Sequence, residues 1–369
     1  MIKVLFVFRR KRTERLELLR QDLGPDEMLY GLPHLDPQQF LVDYMEDEVG
    51  NDYWWKKPIK FFEQRIVEKV GMGFTLDFAL ENLKRLRKSD VIITTADSCG
   101  LPVTFLKKIG LVKVPLIYIS QGLSDYLEEM PRASFWRQFF IRFYSSLLRN
   151  VESILVLGKG AAEHLSQVTG IALAQIQVVH FGIDHLFWHP APFPVDGSFV
   201  LSVGSDPARD YQTLIRAIGD RPLKIVTRLP VDKENLPANI EVSFDYSDVE
   251  LRSLYQQARY VVIPLHDVSQ PSGQSVALQA MACGKAVILT RTRGLWEPEY
   301  LRHLKNIFLV EPGDVHSLGA ALSYCDEHSD GLKQMGKNAR ELVESRYTSG
   351  DFAFTLQQIT QKLSNRLGL

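Results

Sequence analysis

Short, unbroken apolar runs alternating with helix-period segments restrict this chain more than any other feature. In the first half the runs fall at 2–8, 91–96, 115–120, 153–158 and 176–183. A strand covered by helices on both faces of a parallel sheet has no solvent side, so its apolar residues follow one another without alternation. Helical patterns at 61–70, 76–88, 102–109, 134–149 and 160–169 supply such covers. Residues 186–198, "LFWHPAPFPVDGS", hold three prolines and break both periods, which reads as an interdomain linker. The alternation then restarts, with strands expected at 198–204, 223–228, 240–244, 286–289 and 307–310 and in "YVVIP". Asp210 is placed to cap the helix after the first of these, and Ser247 with Glu250 has capping-box spacing. Further helices are expected near 315–326, 332–345 and 351–366.

This pattern predicts an α/β chain of two Rossmann-like domains whose parallel sheets face a cleft. The expected limits are 1–188 for an acceptor-binding domain and 189–350 for a donor-binding domain, with 351–369 a terminal helix packing back on the first. A length of 369 residues fits two cores better than one.

Charge and cysteine use narrow the function classes. With 43 basic and 44 acidic side chains the formal charge is −1, so the basic surplus of a nucleic-acid binder is missing. Three distant cysteines, Cys99, Cys283 and Cys325, argue for a reducing compartment. The opening "MIKVLFVFRRKRTE" puts seven apolar-run residues before its basic cluster and reads as a first strand. A cytoplasmic protein is expected. Two aromatic and basic stretches, "DYWWKKPIKFFEQR" (52–65) and "RASFWRQFFIRFYSSLLR" (132–149), leave peripheral contact with the inner membrane face as a partner class. For the second, ordinary core packing is the favoured reading. Oligomeric state leaves no signal.

In an open parallel sheet, ligands bind beyond the carboxyl ends of the strands, where helix N-termini offer unpaired N–H groups. Arg209 in "VGSDPARDY" and Arg228 in "IVTRLP" stand at two such ends. At a third, "PSGQSVALQAMACG", the backbone of Gly273, Gln274, Ser275 and Val276 is placed to converge on an anion. Two guanidiniums and a helix N-terminus on one rim suit a diphosphate. No carboxylate pair invites nomination as a catalytic base. His180, His185 and His189 with Asp184 lie across a strand end and the Pro-rich stretch, so no helix aligns them on a metal. "MEDE" (45–48) follows no metal-binding pattern, and "DSCGLP" (97–102) is no hydrolase nucleophile turn.

These stretches resemble the GT-B-fold retaining glycosyltransferases of the large family four (group 1) type. "VGSDPARDYQTLIRAI" and "YQQARYVVIPLHDVSQPSGQSVALQAMACGKAVILT" carry the resemblance, with "VVHFGIDHLFWHP" and the C-terminal "NIFLVEPGDVHSLGAALSY" in support. It is strong from about 151 to 350 and only topological before that. The resemblance implies a metal-independent transferase with no cofactor. A nucleotide-diphosphate sugar, UDP-sugar by preference, would be co-substrate, and a hydroxyl group of unidentified type the acceptor. Arg209 stands where the family has its diphosphate-binding lysine, and Ser205, after Gly204, where a first arginine is usual. Arg228 is the substitute for that arginine. Gln279 replaces the glutamate that holds the ribose hydroxyls, and Pro271 the glutamate that contacts the donor sugar. His266, Asp267 and Ser269 lie in the lengthened loop that follows Pro264 and are stand-ins for the latter. Gln121, followed by Gly122, stands where a histidine often faces the sugar. Arg9 and Arg10, in "FRRKRTE", replace the family's Gly-rich turn and line the acceptor side. The same departures support an alternative, a degenerate GT-B protein that binds nucleotide or a partner enzyme without catalysis.

Overall fold

The computed structural model describes residues 1–47, 54, 56–193, 197–232 and 236–367. Asp52, Tyr53 and Trp55 of the first aromatic stretch, Glu48 of "MEDE", residues 194–196 of the Pro-rich stretch and residues 368–369 lie outside them.

The first half runs β1 (Ile2–Phe8), α1 (Arg12–Arg20), β2 (Phe40–Glu46), α2 (Lys56–Val70), α3 (Leu76–Glu81), α4 (Leu83–Lys88), β3 (Val91–Thr94), α5 (Asp97–Lys108), β4 (Leu116–Ile119), α6 (Leu123–Glu129), α7 (Phe135–Leu148), β5 (Ser153–Val156), α8 (Lys159–Thr169) and β6 (Ile176–Val178). Its strands form one parallel sheet in the order β2-β1-β3-β4-β5-β6. β3, β4 and β5 are buried at every position, as unbroken apolar runs require. β2 is absent from the sequence reading. It is an edge strand paired to β1 alone, and its Asp43 and Glu46 interrupt the apolar run that marks the central strands.

The second half runs β7 (Val200–Val203), α9 (Tyr211–Ala217), β8 (Leu223–Val226), β9 (Ile240–Ser243), α10 (Asp248–Gln257), β10 (Tyr260–Ile263), α11 (Gln274–Ala282), β11 (Val287–Thr290), β12 (Phe308–Val310), α12 (Val315–Glu327), α13 (Ser329–Arg346) and α14 (Ser349–Leu367). Its parallel sheet has the order β12-β11-β10-β7-β8-β9, which reverses at β7 and β10. That reversal is where a doubly wound sheet opens a ligand crevice at its strand ends. The caps are as the sequence spacing predicts. Asp210 accepts from the Thr213 N–H at 3.0 Å, and Ser247 and Glu250 form a reciprocal capping box.

Contacts divide the chain into two units. The first holds residues 1–16, Met28–Val179 and α14 from Phe352 onward; the second holds Glu17–Glu27 and His180–Asp351. The long segment of the second unit runs from His180, and Glu17–Glu27 joins it from the N-terminal part of the chain. Residues 186–188 are no loose linker, because Trp188 is fully buried and sits edge-on to Tyr255, ring centroids 5.7 Å apart. The prolines drew the linker reading; the adjacent Phe187 and Trp188 were the opposing signal. All three cysteines are buried and free.

Candidate functional site

Three loops at the strand ends of the second sheet are hydrogen-bonded into one surface. The turn after β7 and the loop after β10 are zipped together: the Asp210 N–H donates to Pro264 O at 3.0 Å, and the His266 N–H to Ala208 O at 2.8 Å. Ser272, just before α11, donates its hydroxyl to Asp206 at 2.5 Å. The loop after β11 closes the other side, with Arg293 Nε 2.9 Å from Asp267 and the Gly294 N–H 2.7 Å from Val268 O.

Arg209 lies in the middle of this surface. It is 6% exposed, and its Nε and Nη1 have no hydrogen-bond partner. Burial pulls its pKa down, yet a guanidinium stays charged at any physiological pH. A buried cation with unpaired donors is costly, and an anion from outside the chain would complete it. The backbone is shaped around this side chain. Gly204 has φ +140°, and a Cβ there would lie 2.2 Å from Arg209 Nε. Gly273, with φ +75°, caps α11 in the left-handed region, and its Cβ would meet Ile263 at 2.7 Å and Arg209 Nη1 at 3.0 Å. The guanidinium therefore sits against the N-terminus of α11. The Gln274 N–H is engaged by Pro271 O at 3.2 Å, whereas Ser275 and Val276 lie in the first turn, where N–H groups have no acceptor within the helix.

The other expected residues fall into distinct places. Ser205 and Arg228 meet, since the Arg228 N–H donates to Ser205 Oγ at 2.8 Å across the ends of β7 and β8. The Arg228 side chain itself is exposed. Gln279 is buried, and both ends of its amide are occupied: Tyr255 donates to Oε1 at 3.1 Å, and Nε2 donates to Glu27 Oε1 at 3.0 Å. Glu27 also accepts from the Trp188 indole at 2.9 Å. Fully enclosed and without a cation partner, its carboxyl is raised to about 7 by burial. The acidic group that the sequence lacks at 279 thus stands beside it, on a residue 252 positions away. No local pattern could have revealed it. In the lengthened loop Asp267 is engaged by Arg293, Ser269 is buried, and the His266 ring is largely exposed 3.8 Å from Asp210.

In the first unit Gln121 follows β4. Its amide nitrogen donates to Tyr30 Oη and to Thr95 O, each at 2.5 Å, and its N–H donates to Asp97 at 3.1 Å. Asp97, wholly buried and raised in pKa by that burial, also accepts from Tyr118 and from Ser120. Gln121 is thus locked into its turn, with its nitrogen committed inward; Gly122 behind it is buried and caps α6. Arg9 and Arg10 are exposed, and Arg10 lies 3.8 Å from Asp47. The N-terminus of α1 beside them is already filled: Glu46 accepts from the N–H groups of Arg12 and Thr13. His180 pairs with Glu297 at 3.1 Å, and His189 Nδ1 is 2.8 Å from Pro190 O. Among the described residues no group of three or more His, Cys, Asp or Glu is arranged to hold a metal ion.

Comparisons with known proteins bear on the fold and on the stretch that holds these loops. Residues 204–342 match the family model of the Glycosyl transferases group 1. The MMP alpha-(1->4)-mannosyltransferase of Mycolicibacterium hassiacum is 24% identical over 279 residues, a match spanning 69% of this chain and 66%, just under two thirds, of that relative. Among solved structures, sucrose-phosphate synthase from Thermosynechococcus elongatus has a TM-score of 0.72 at 17% identity, covering 99% of this chain and 100% of its own. Anabaena HepE, solved with UDP, has a TM-score of 0.67 at 18% identity, covering 99% and 100%. The catalytic domain of starch synthase IV from Arabidopsis thaliana, bound to ADP and acarbose, has a TM-score of 0.68 at 11% identity, covering 98% and 99%. Those identities speak for the fold, and the matched stretch carries the strand-end loops around Arg209 and α11. Residues 204–342 are thus similar to the Glycosyl transferases group 1, in a chain whose two parallel sheets have the GT-B fold.

Proposed function

We propose that the second unit binds the diphosphate of a nucleotide-sugar, UDP-sugar by preference, and that the enzyme transfers the sugar to a hydroxyl acceptor with retention and without a metal. One observation carries this reading: the buried Arg209 guanidinium, with Nε and Nη1 unpaired, lies against the Gly273 start of α11. When the bond from the anomeric carbon to the phosphate oxygen breaks, negative charge grows on the departing diphosphate. A fixed guanidinium and a helix N-terminus stabilise that charge in place of a divalent ion. In front-face attack the acceptor oxygen bonds to the anomeric carbon as the diphosphate leaves, and the hydroxyl proton passes to a departing phosphate oxygen. No protein carboxylate is needed as base. HepE, solved with UDP and with UDP-glucose, supports uracil as the base, whereas starch synthase IV holds ADP, so the test below includes both bases. Gln121 is the candidate to face the donor sugar and Arg228 to assist Arg209, while Gly122 and the exposed Arg9 and Arg10 are the acceptor-side candidates.

The test is incubation of the purified chain with UDP-, GDP- and ADP-sugars, with and without EDTA, reading slow hydrolysis and the anomer released. We expect one donor to be hydrolysed with retention, insensitively to EDTA, and the activity to vanish in Arg209→Ala. Hydrolysis that needs a divalent ion, or that inverts the anomer, would overturn the mechanism. Nucleotide binding with no turnover on any donor, with acceptors supplied, would point to the non-catalytic reading.

A further inference from the structure

The first unit carries a face that the transfer reaction does not use. On α7, Phe135 is 74% exposed, Trp136 44% and Phe139 45%; on α2, Phe61 is 59% exposed and Phe62 43%. Five protruding aromatic rings on two helices exceed the scattered exposure of an ordinary surface. They are anchored, not loose. Phe62 sits edge-on to the buried Phe74 at 6.3 Å, Phe74 lies 6.4 Å from Phe143, and Phe139 stacks on Phe143 at 6.1 Å. A continuous row of rings therefore runs from the core to the surface.

The charge on these two helices is mainly basic, although Lys56 is buried on Glu81 and Glu128 of the adjoining α6 is exposed. α2 and α7 together hold seven basic side chains against two acidic ones, and α7 holds no acidic residue. Glu63 accepts from the Asp77 N–H at 2.8 Å, and Glu68 pairs with Arg65 at 3.2 Å, which offsets that cation as well as the acid and leaves Lys57, Lys69 and Arg142 as the exposed basic groups. The cations lie on the ring faces, with Arg65 5.0 Å from the Phe61 centroid and Lys69 5.8 Å from that of Trp136. Lys57 and Arg142 extend the exposed basic rim.

From this juxtaposition we infer that the α2–α7 face docks on an anionic lipid bilayer surface. Ring edges enter the boundary between headgroups and acyl chains while ammonium and guanidinium groups meet lipid phosphates. No helix among the described residues is long and apolar enough to cross a membrane, so this contact lies at the interface. A second copy of the chain fits the face poorly. A two-fold interface sets a patch against itself, which would bring Lys57, Lys69 and Arg142 against their own like charges. The inference stands apart from the donor site, which lies in the second unit.

The test is co-sedimentation of the full chain with phosphatidylcholine vesicles, with and without phosphatidylglycerol, at low and high salt. We expect salt-sensitive binding to the anionic vesicles only. Lys57→Glu with Lys69→Glu should weaken it more than about tenfold, as should a triple variant replacing Phe135, Trp136 and Phe139 by serine. Melting temperature and UDP affinity serve as fold controls, and the charge variant keeps the test intact should the aromatic one misfold. No binding to anionic vesicles, or equal binding by both variants, would overturn the proposal. Self-association in light scattering that the aromatic substitutions abolish would assign the face to a second copy instead, and stable capture of an acidic protein without lipid binding would likewise overturn it.

Discussion

Two helices, α1 and α11, each follow a strand of a parallel sheet, and their N-termini are treated in opposite ways. At α1 the chain supplies its own anion: the Glu46 carboxylate accepts from the first N–H groups, and Arg10 lies near Asp47. At α11 the cap is Gly273, which offers no side chain; a buried guanidinium with two unpaired nitrogens lies against it, and the nearby Asp206 carboxylate is bonded to the Ser272 hydroxyl, not to the helix N–H groups. A helix start satisfied from within stabilises the fold. One left positive and incomplete is where an anion from outside the chain would be stabilised, as we propose for the donor diphosphate.

Removing Arg209 should break this comparison most severely. Arg209→Ala is expected to lower donor hydrolysis or transfer by about 10²–10³-fold, the usual scale for losing a preorganised charge at a developing anion. Its melting temperature should hold or rise, since the side chain is buried without full hydrogen bonding. A variant that is destabilised yet fully active would make Arg209 structural.

The enclosed carboxyl beside Gln279 gives the next effect. Folding raises the Glu27 pKa from its ordinary 4.5 to about 7, so between those values the unfolded chain has released a proton that the folded one keeps. The Glu27 contribution to stability is thus present at low pH and is lost as pH rises from 4.5 to 7. The slope is at most about 1.4 kcal/mol per pH unit. Subtracting the Glu27→Gln denaturation curve from that of the parent should isolate this slope, and parallel curves would place the charge elsewhere.

Gln279→Glu, which restores the family's residue, should for the same reason not simply tighten ribose binding. It sets a second carboxylate at the position now 3.0 Å from Glu27 and should cost on the order of 2 kcal/mol at neutral pH. Combining it with Glu27→Gln, which exchanges the acid and the amide, should recover most of that loss in chemical denaturation. No recovery would mean that the two side chains do not act as a pair.

The smallest effect sharpens the other side of the comparison. Glu46→Gln should cost about 1 kcal/mol through the weakened α1 cap and leave UDP affinity unchanged by calorimetry. A large loss of UDP affinity there would make the two helix starts functionally alike.

Much of this was legible in the residues. Apolar runs marked the central strands because burial on both faces forbids alternation, and Asp210, Ser247 and Glu250 marked helix starts because capping is local. Arg209 and the 273–276 backbone could be placed together at the strand ends, since strand-end position follows from topology. What stayed hidden was non-local or masked by composition. β2 carries acidic residues at a sheet edge, Trp188 is core within a Pro-rich stretch, and Glu27 reaches Gln279 across 252 positions. Glu46 capping α1 is of the same kind, a side chain supplied from another strand to a helix 34 residues away.

The central claim is that Arg209 and the start of α11 hold a diphosphate. Calorimetric titration of UDP and UMP into the parent chain and into Arg209→Ala tests it most directly. The account predicts that the parent prefers UDP over UMP by about a hundredfold and that Arg209→Ala loses most of that preference, keeping only the share of the α11 N-terminus. An undiminished preference for UDP in Arg209→Ala would contradict it.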